Sequence, residues 1–246
     1  MSVSIAIDGP AGAGKSTIAK LVAEKLHMIY VDTGAMYRAM GLHFHRKGIS
    51  PEDEAAICAA CKEADISITY EDGAQQVLLN GENVTGYLRT EEAGKMASAT
   101  SGYAKVREKL VELQQKLAAE KSVVMDGRDI GTVVLPRADV KIYLTASVEA
   151  RARRRFLELE EKGVPCRLEE IAADIEKRDY QDMHRENSPL KQAEDAVYLD
   201  SSEMTVKEVT DAIIDVLFRK KMAERGRTGS LDDALEELIK KECGQG

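Results

Sequence analysis

Apolar residues follow two rhythms along this chain, and their alternation predicts the fold. Five short apolar runs read as strands of a parallel sheet covered on both faces: Val3–Ile7, Met28–Val31, Ser122–Met125, Val140–Leu144 and Ala196–Leu199. Between them, apolar positions recur at helical spacing. Ile18, Leu21, Val22 and Leu26 make one stripe, Val106, Leu110, Leu113 and Leu117 a second, and Val206, Val209, Ile213 and Leu217 a third. Strands alternating with amphipathic helices define an α/β class. Most of the strands end in or beside an acidic or small polar residue, namely Asp8, Asp32, Asp126, Thr145 and Asp200. Ligands of such sheets bind beyond the carboxyl ends of the strands.

Two stretches break this rhythm and read as insertions. The first, 37–103, holds a helix and then a β-rich piece. There Ile66, Ile68 and Tyr70 alternate, Asp72-Gly73 turns, Val77 and Leu79 alternate again, and Asn80-Gly81 turns once more. The second, 151–188, is charged and helical, broken in the middle by Gly163 and Pro165. The core is then expected to comprise 1–36, 104–150 and 189–218. The remainder, 219–246, reads as a basic, glycine-containing linker followed by a short amphipathic helix. Ser230 caps that helix, and Leu231, Leu235, Leu238 and Ile239 form its face.

Composition narrows the field of functions. The chain has 246 residues with 43% hydrophobic, enough for one α/β core with insertions or for two small domains. It has no Trp, only 4% aromatic residues and a net charge of −8, a poor match to a nucleic-acid surface. No run approaches the ~18 apolar residues of a membrane span. Met1-Ser2-Val3 leads straight into a strand with no basic n-region, so a cytoplasmic protein is expected; a monomer is the separate expectation for its assembly. Cys58-x-x-Cys61 lacks the second pair of a zinc site and lies in Ala-rich helical sequence. It is read with Cys166 and Cys243 as ordinary thiols.

The first strand runs into Gly9-Pro10-Ala11-Gly12-Ala13-Gly14-Lys15-Ser16-Thr17, which fits the spacing G-x-x-x-x-G-K-[ST] without a gap. Each residue type has a physical reason. Glycines let backbone N–H groups converge on an anion. Lys15 can follow the β- and γ-phosphates, and the Ser16 hydroxyl can ligate Mg²⁺. The order strand, glycine loop, helix N-terminus adds the helix dipole to the site.

Other polar clusters follow the later strands. Asp32-Thr33-Gly34-Ala35-Met36-Tyr37-Arg38 sets Arg38 one helical turn past a strand end, where it could fork onto a phosphate or stand solvated. Asp126-Gly127-Arg128-Asp129 follows the third strand. Asp126 stands in the place of a second Mg²⁺ or water contact, and the alternative is an ion pair at a turn. Arg151, Arg153, Arg154 and Arg155 lie near a helix start, where cations oppose the dipole. A polyphosphate would favour them there, and a basic solvated face is the plainer reading. Arg178, Asp182 and Arg185 share one helical face at i, i+4 and i+7, suiting a phosphorylated sugar or a surface ladder. The four histidines give no comparable signal.

With these pieces assembled, the chain resembles the bacterial cytidylate kinases, nucleoside monophosphate kinases of the phosphate-loop class. The resemblance is carried by Ile7 to Ser16, by Asp32 to Arg38, by Asp126-Gly127-Arg128-Asp129-Ile130-Gly131-Thr132-Val133-Val134 and by Lys177-Arg178-Asp179, and it runs from about residue 3 to about residue 218. It implies a five-stranded parallel sheet in the order 2-3-1-4-5, a monophosphate-binding insertion with a small β-sheet, and a helical lid. It also implies that Gly9 to Thr17, with Arg154, hold ATP. Thr33 and Arg38 would face the monophosphate, Ser98, Arg107 and Asp129 the pyrimidine, Arg128, Arg178 and Arg185 phosphate, and Asp182 the sugar. Lys15, Arg38 and Arg128 would be catalytic. The expected reaction is γ-phosphoryl transfer from ATP, with Mg²⁺, to CMP or dCMP. Rival readings are weaker. A GTPase switch would need an N-K-x-D base reader, and no coupling motif of a transport or helicase ATPase is present. A uridylate, thymidylate or shikimate kinase is the closer rival, and Arg107 with Asp129 is what separates them. A silent nucleotide-binding module would keep the loop and lack turnover.

Overall fold

The computed structural model describes residues 2–71 and 73–225. In chain order its elements are β1 (Ser4–Asp8), α1 (Lys15–Lys25), β2 (Ile29–Asp32), α2 (Thr33–Arg46), α3 (Glu54–Glu63), β3 (Ile66–Glu71), β4 (Ala74–Leu79), β5 (Glu82–Asn83), α4 (Glu91–Thr100), α5 (Ala104–Glu120), β6 (Val123–Gly127), β7 (Val140–Thr145), α6 (Val148–Glu161), α7 (Leu168–His184), β8 (Val197–Asp200) and α8 (Val206–Arg225). A 3₁₀ turn occupies Thr85–Tyr87 and a single π-helical turn Ile130–Val134. The helix expected after Ser230, and Cys243, lie outside the described residues. No helix among those described is long and apolar enough to cross a membrane.

These residues form two compact units. Among the described residues, one takes 2–30, Lys121–His184 and 189–225; the other is built from Val31–Glu120 with Arg185–Ser188. The first unit is built on a five-stranded sheet in the order β2-β6-β1-β7-β8, which reads 2-3-1-4-5 when strands are counted within this sheet alone. β1 runs parallel to both β6 and β7, with Ile7 level with Asp126 and with Ile142. Such a central strand is covered on both faces, and Ile5, Ala6 and Ile7 are fully buried. Ile18, Val22 and Leu26 of α1 and Val209, Ile213 and Leu217 of α8 enter the same core. Val206 departs from its stripe. It is 48% exposed, because the first turn of α8 borders a cavity rather than the sheet.

The second unit packs α2 against α4 and carries an antiparallel sheet in the order β3-β4-β5. Ile66 pairs with Leu79 and Ile68 with Val77, so the alternating residues share one face. Asn80 and Gly81 both hold positive φ, 52° and 82°, the conformation a tight hairpin between β4 and β5 requires. Gly41 allows α2 and α4 to touch: a Cβ there would lie 2.7 Å from Ala97 N and 2.9 Å from Ala93 O.

Candidate active site

The loop after β1 is held open by backbone geometry. Gly9 adopts φ +152°, and a Cβ on it would lie 1.9 Å from Leu144 O, so only glycine fits. Gly14 then enters the left-handed region at φ 82°, ψ 9°, and caps α1 with no side-chain acceptor. The first N–H groups of α1 therefore have no side chain to bond, as an anion site requires. Beside them lies a cavity of about 560 Å³, lined by Gly12–Ile18, by Arg154 and Glu158 of α6 and by Ser201, Met204 and Thr205 after β8. Its size suits one small ligand.

Lys15 opens α1 and is only 6% exposed. Its Nζ donates to Pro10 O at 2.7 Å. Burial holds its ammonium well below the ordinary lysine range, and the Arg128 guanidinium lowers it further. Asp126, Asp182 and Asp8 oppose the shift. Four charged groups thus surround one amine, Asp8, Asp126 and Arg128 from strand ends and Asp182 from α7. Arg128 Nε donates to Asp182 Oδ2 at 2.6 Å, a half-buried pair that links the turn after β6 to α7. The Ser16 hydroxyl donates to Asp126 Oδ2 at 2.9 Å, while the Tyr30 hydroxyl donates to Asp126 Oδ1 at 2.8 Å. A hydroxyl and a carboxylate side by side at the mouth of a phosphate loop are hard oxygen donors, the kind Mg²⁺ takes.

Of the four α6 arginines, two hold structure. Arg151 is 4% exposed and its guanidinium joins three segments: Nε donates to Ala146 O at 2.9 Å, Nη1 to Ala11 O at 2.7 Å and Nη2 to Asp179 Oδ2 at 2.6 Å. Arg154 is held by Ser201 on the cavity wall. Arg155 pairs with Glu158 in solvent. Arg178 does not join Arg128. It is 52% exposed, with its Nε 3.7 Å from Asp174. The shared helical face of Arg178, Asp182 and Arg185 also needs correction, because α7 ends at His184 and Arg185 lies past it. Ser188 takes φ 49° just before Pro189, a residue type that disfavours helix at its predecessor.

In the second unit, Asp32 caps α2, accepting from Ala35 N at 2.8 Å, and its Oδ2 pairs with Arg38 at 3.1 Å. Gly34 makes room for that guanidinium; a Cβ there would be 3.1 Å from Arg38 Nη1. Arg38 Nε is buried with no hydrogen-bond partner among the described residues. Thr33 is buried and Ser98 exposed. Arg107 is buried, donates to Ser101 O at 3.4 Å and lies over the Tyr37 ring at 5.8 Å. Arg185 Nε donates to Ser188 O at 2.6 Å.

The family model for cytidylate kinase matches residues 5–219 of this chain. The chain belongs to the cytidylate kinase family. Among its curated relatives, the cytidylate kinase of Caldicellulosiruptor bescii is 50% identical over 217 residues, spanning 88% of this chain and 96% of the relative. That of Lactobacillus johnsonii is 50% identical over 218 residues, 89% of this chain and 95% of the relative. That of Enterococcus faecalis is 49% identical over 218 residues, 89% and 96%. In this cytidylate kinase family member three polar residues beside the phosphate loop escaped the sequence reading. Tyr30 sits inside an apolar run and looks like strand filler. Arg151 stands in a basic run that suits a polyphosphate or a solvated face, and neither reading anticipates its buried, structural place on α6. Asp8 was noted only as a strand end, yet it is 5% exposed and accepts two backbone hydrogen bonds.

Proposed function

We propose that this chain transfers the γ-phosphoryl group of ATP to the phosphate of CMP or dCMP, giving ADP and CDP or dCDP. The observation that carries the reading is the buried Lys15, ringed by Arg128, Asp126 and Asp182 beneath an α1 N-terminus without a side-chain cap, in a chain of this family. An acceptor phosphate oxygen attacks the γ-phosphorus, the bond to the β–γ bridging oxygen breaks, and ADP leaves with that electron pair. The attacking oxygen is already ionised, so no general base is required. Catalysis is alignment and neutralisation of charge on the moving group.

In this reading Gly9 to Thr17 cradle the triphosphate and Arg154 borders the rest of ATP in the 560 Å³ cavity. Lys15 exchanges Pro10 O for phosphate oxygens, and Arg128 exchanges Asp182 in the same way. Asp182 is left to meet the sugar hydroxyls. Arg38, with its unmatched Nε, binds the acceptor phosphate together with Thr33 and Arg185. Arg178 reaches phosphate from its exposed position. Ser16 and Asp126 would hold Mg²⁺, which when bound screens charge between the β- and γ-phosphates. The segment 37–103 serves as the monophosphate-binding insertion and 151–188 as the lid that keeps water from the transferring group. The free thiols of Cys58, Cys61 and Cys166 support a reducing, cytoplasmic setting.

Base choice rests on Ser98, Arg107 and Asp129. Cytosine offers acceptors at N3 and O2, which suit Arg107, and a donor at N4, which suits Asp129. Uracil puts a carbonyl where N4 stood, leaving the carboxylate mispaired at a cost of about 1–3 kcal/mol. ADP release measured with a panel of acceptors tests the whole reading. Rapid turnover is expected with CMP and dCMP, with UMP slower by roughly 10–100-fold and AMP and shikimate slower still. Equal rates with every acceptor would remove the base-reading argument, and no release with any of them would remove the enzyme.

A further inference from the structure

The turn that carries Arg128 and Asp129 is held by a residue that the reaction as drawn does not use. β6 ends at Gly127, and after Arg128 and Asp129 the chain winds into the π-helical turn Ile130–Val134. The leading N–H groups of such a turn need acceptors. Asp129 precedes the turn, and its side chain makes no capping bond to it. The cap comes instead from another strand. Asp8, the last residue of β1, accepts from Ile130 N through Oδ1 and from Gly131 N through Oδ2, each at 2.7 Å.

The approach leaves little room beside Gly131. A Cβ on Gly131 would stand 3.3 Å from Asp8 Oδ2 and 3.1 Å from the Lys141 stem. Charged neighbours converge on the same spot. Lys15 lies on the phosphate-loop side of Asp8 and Asp129 on the turn side. From β7 come the Tyr143 ring and Lys141, whose ammonium is taken by Pro136 O at 2.7 Å and Asp195 at 2.8 Å. Burial pushes the Asp8 carboxyl up to about 6, against the pull of its two N–H bonds and Lys15. At neutral pH it is ionised and accepts from both donors at once.

We propose that Asp8 is a positioning residue: it fastens the Arg128–Asp129 turn to the strand that opens the phosphate loop, and through that turn it sets the binding of the acceptor nucleotide. The proposal rests on the functional reading above, in which Asp129 reads the base and Arg128 contacts phosphate. It follows from the direction of the bonds. Asp8 accepts two hydrogen bonds from the turn and meets Lys15 of the glycine loop through charge alone, so its loss should fall chiefly on the acceptor side.

Asp8→Asn in the full chain tests it. An amide offers one acceptor, and its NH₂ would confront the second backbone N–H, so the cap is halved with little change of shape. Amide hydrogen exchange needs no substrate. Ile130 and Gly131 should exchange about tenfold faster in the variant while α1 amides do not change. In steady-state kinetics KM for CMP should rise about tenfold, with KM for ATP within twofold of wild type. Unchanged exchange at Ile130 and Gly131 would overturn the fastening. Faster exchange with both KM values unchanged, or raised together in step with a lowered melting temperature, would overturn the positioning role. A wild-type protein inactive on CMP would instead overturn the functional reading, and the exchange measurement would still decide whether Asp8 holds the turn.

Discussion

In the proposed reading Lys15 trades stability for chemistry. It is 6% exposed, and burial depresses its pKa below the ordinary lysine value of 10.5. The sign follows from linkage: the folded state prefers the neutral amine, so the stability this group contributes is present above about 10.5 and is lost as pH falls through the depressed value. Near neutral pH the buried ammonium is a cost. Lys15→Met should therefore abolish transfer, by a factor on the order of 10³, and still raise the melting temperature by a few degrees. The gain should grow as the buffer is taken from pH 9 to pH 6, and paired thermal melts and turnover assays would check both halves. A lower melting temperature at every pH would mean that the bond to Pro10 O outweighs the desolvation. Lys15 itself was legible in the sequence, because the glycine spacing around it is specific. Its contact with Pro10 O was not, because a motif encodes what a side chain can reach and says nothing of which backbone carbonyl it takes.

At the scale of elements, close contact outranks propensity. Alanine is favoured over glycine in a helix interior by about 1 kcal/mol, which alone would make Gly41→Ala stabilising. Its Cβ would instead enter backbone of α4 at 2.7 Å. Moving α2 off α4 should cost about 1–3 kcal/mol net, read as a lower denaturation midpoint. The buried pair of Arg151 and Asp179 ties α6 to α7 and to the glycine loop. Arg151→Met would leave the Asp179 carboxylate uncompensated, with Oδ1 already lacking a partner among the described residues. A loss of about 3–5 kcal/mol is expected, visible in urea unfolding. The five strands of the parallel sheet were legible as apolar runs, with ends displaced by one or two residues; burial on both faces explains this for β1 and β6, whereas β8 kept its apolar run although Val197 and Tyr198 are exposed, and the short polar β5 gave no signal at all. The end of α7 was not legible. Arg185 to Ser188 is polar throughout, so no apolar period marks where the helix stops, and its charge pattern continued a face that the backbone had left.

Across the whole molecule, each unit holds part of what the sequence proposed. Lys15, Arg128, Asp126 and Asp182 gather in one, and Thr33, Arg38, Ser98 and Arg107 belong to the other. The gathering in the first could be anticipated from strand order, since Lys15 follows β1 and Arg128 follows the neighbouring β6. Its internal pairing could not, because side-chain partners depend on which carboxylate arrives from a remote helix, and Asp182 comes from α7. That pairing has a consequence for selectivity. Arg128 already has an anion of its own, and Lys15 already has a carbonyl. A stray phosphate or sulfate gains little by displacing one of them, since it swaps a partner of similar strength. In the proposed reading a nucleotide would replace several partners in one event and fill the neighbouring cavity as well. On that reading the pairing of Lys15 with Pro10 O and of Arg128 with Asp182 would disfavour small anions and favour ligands that engage the site at many points together.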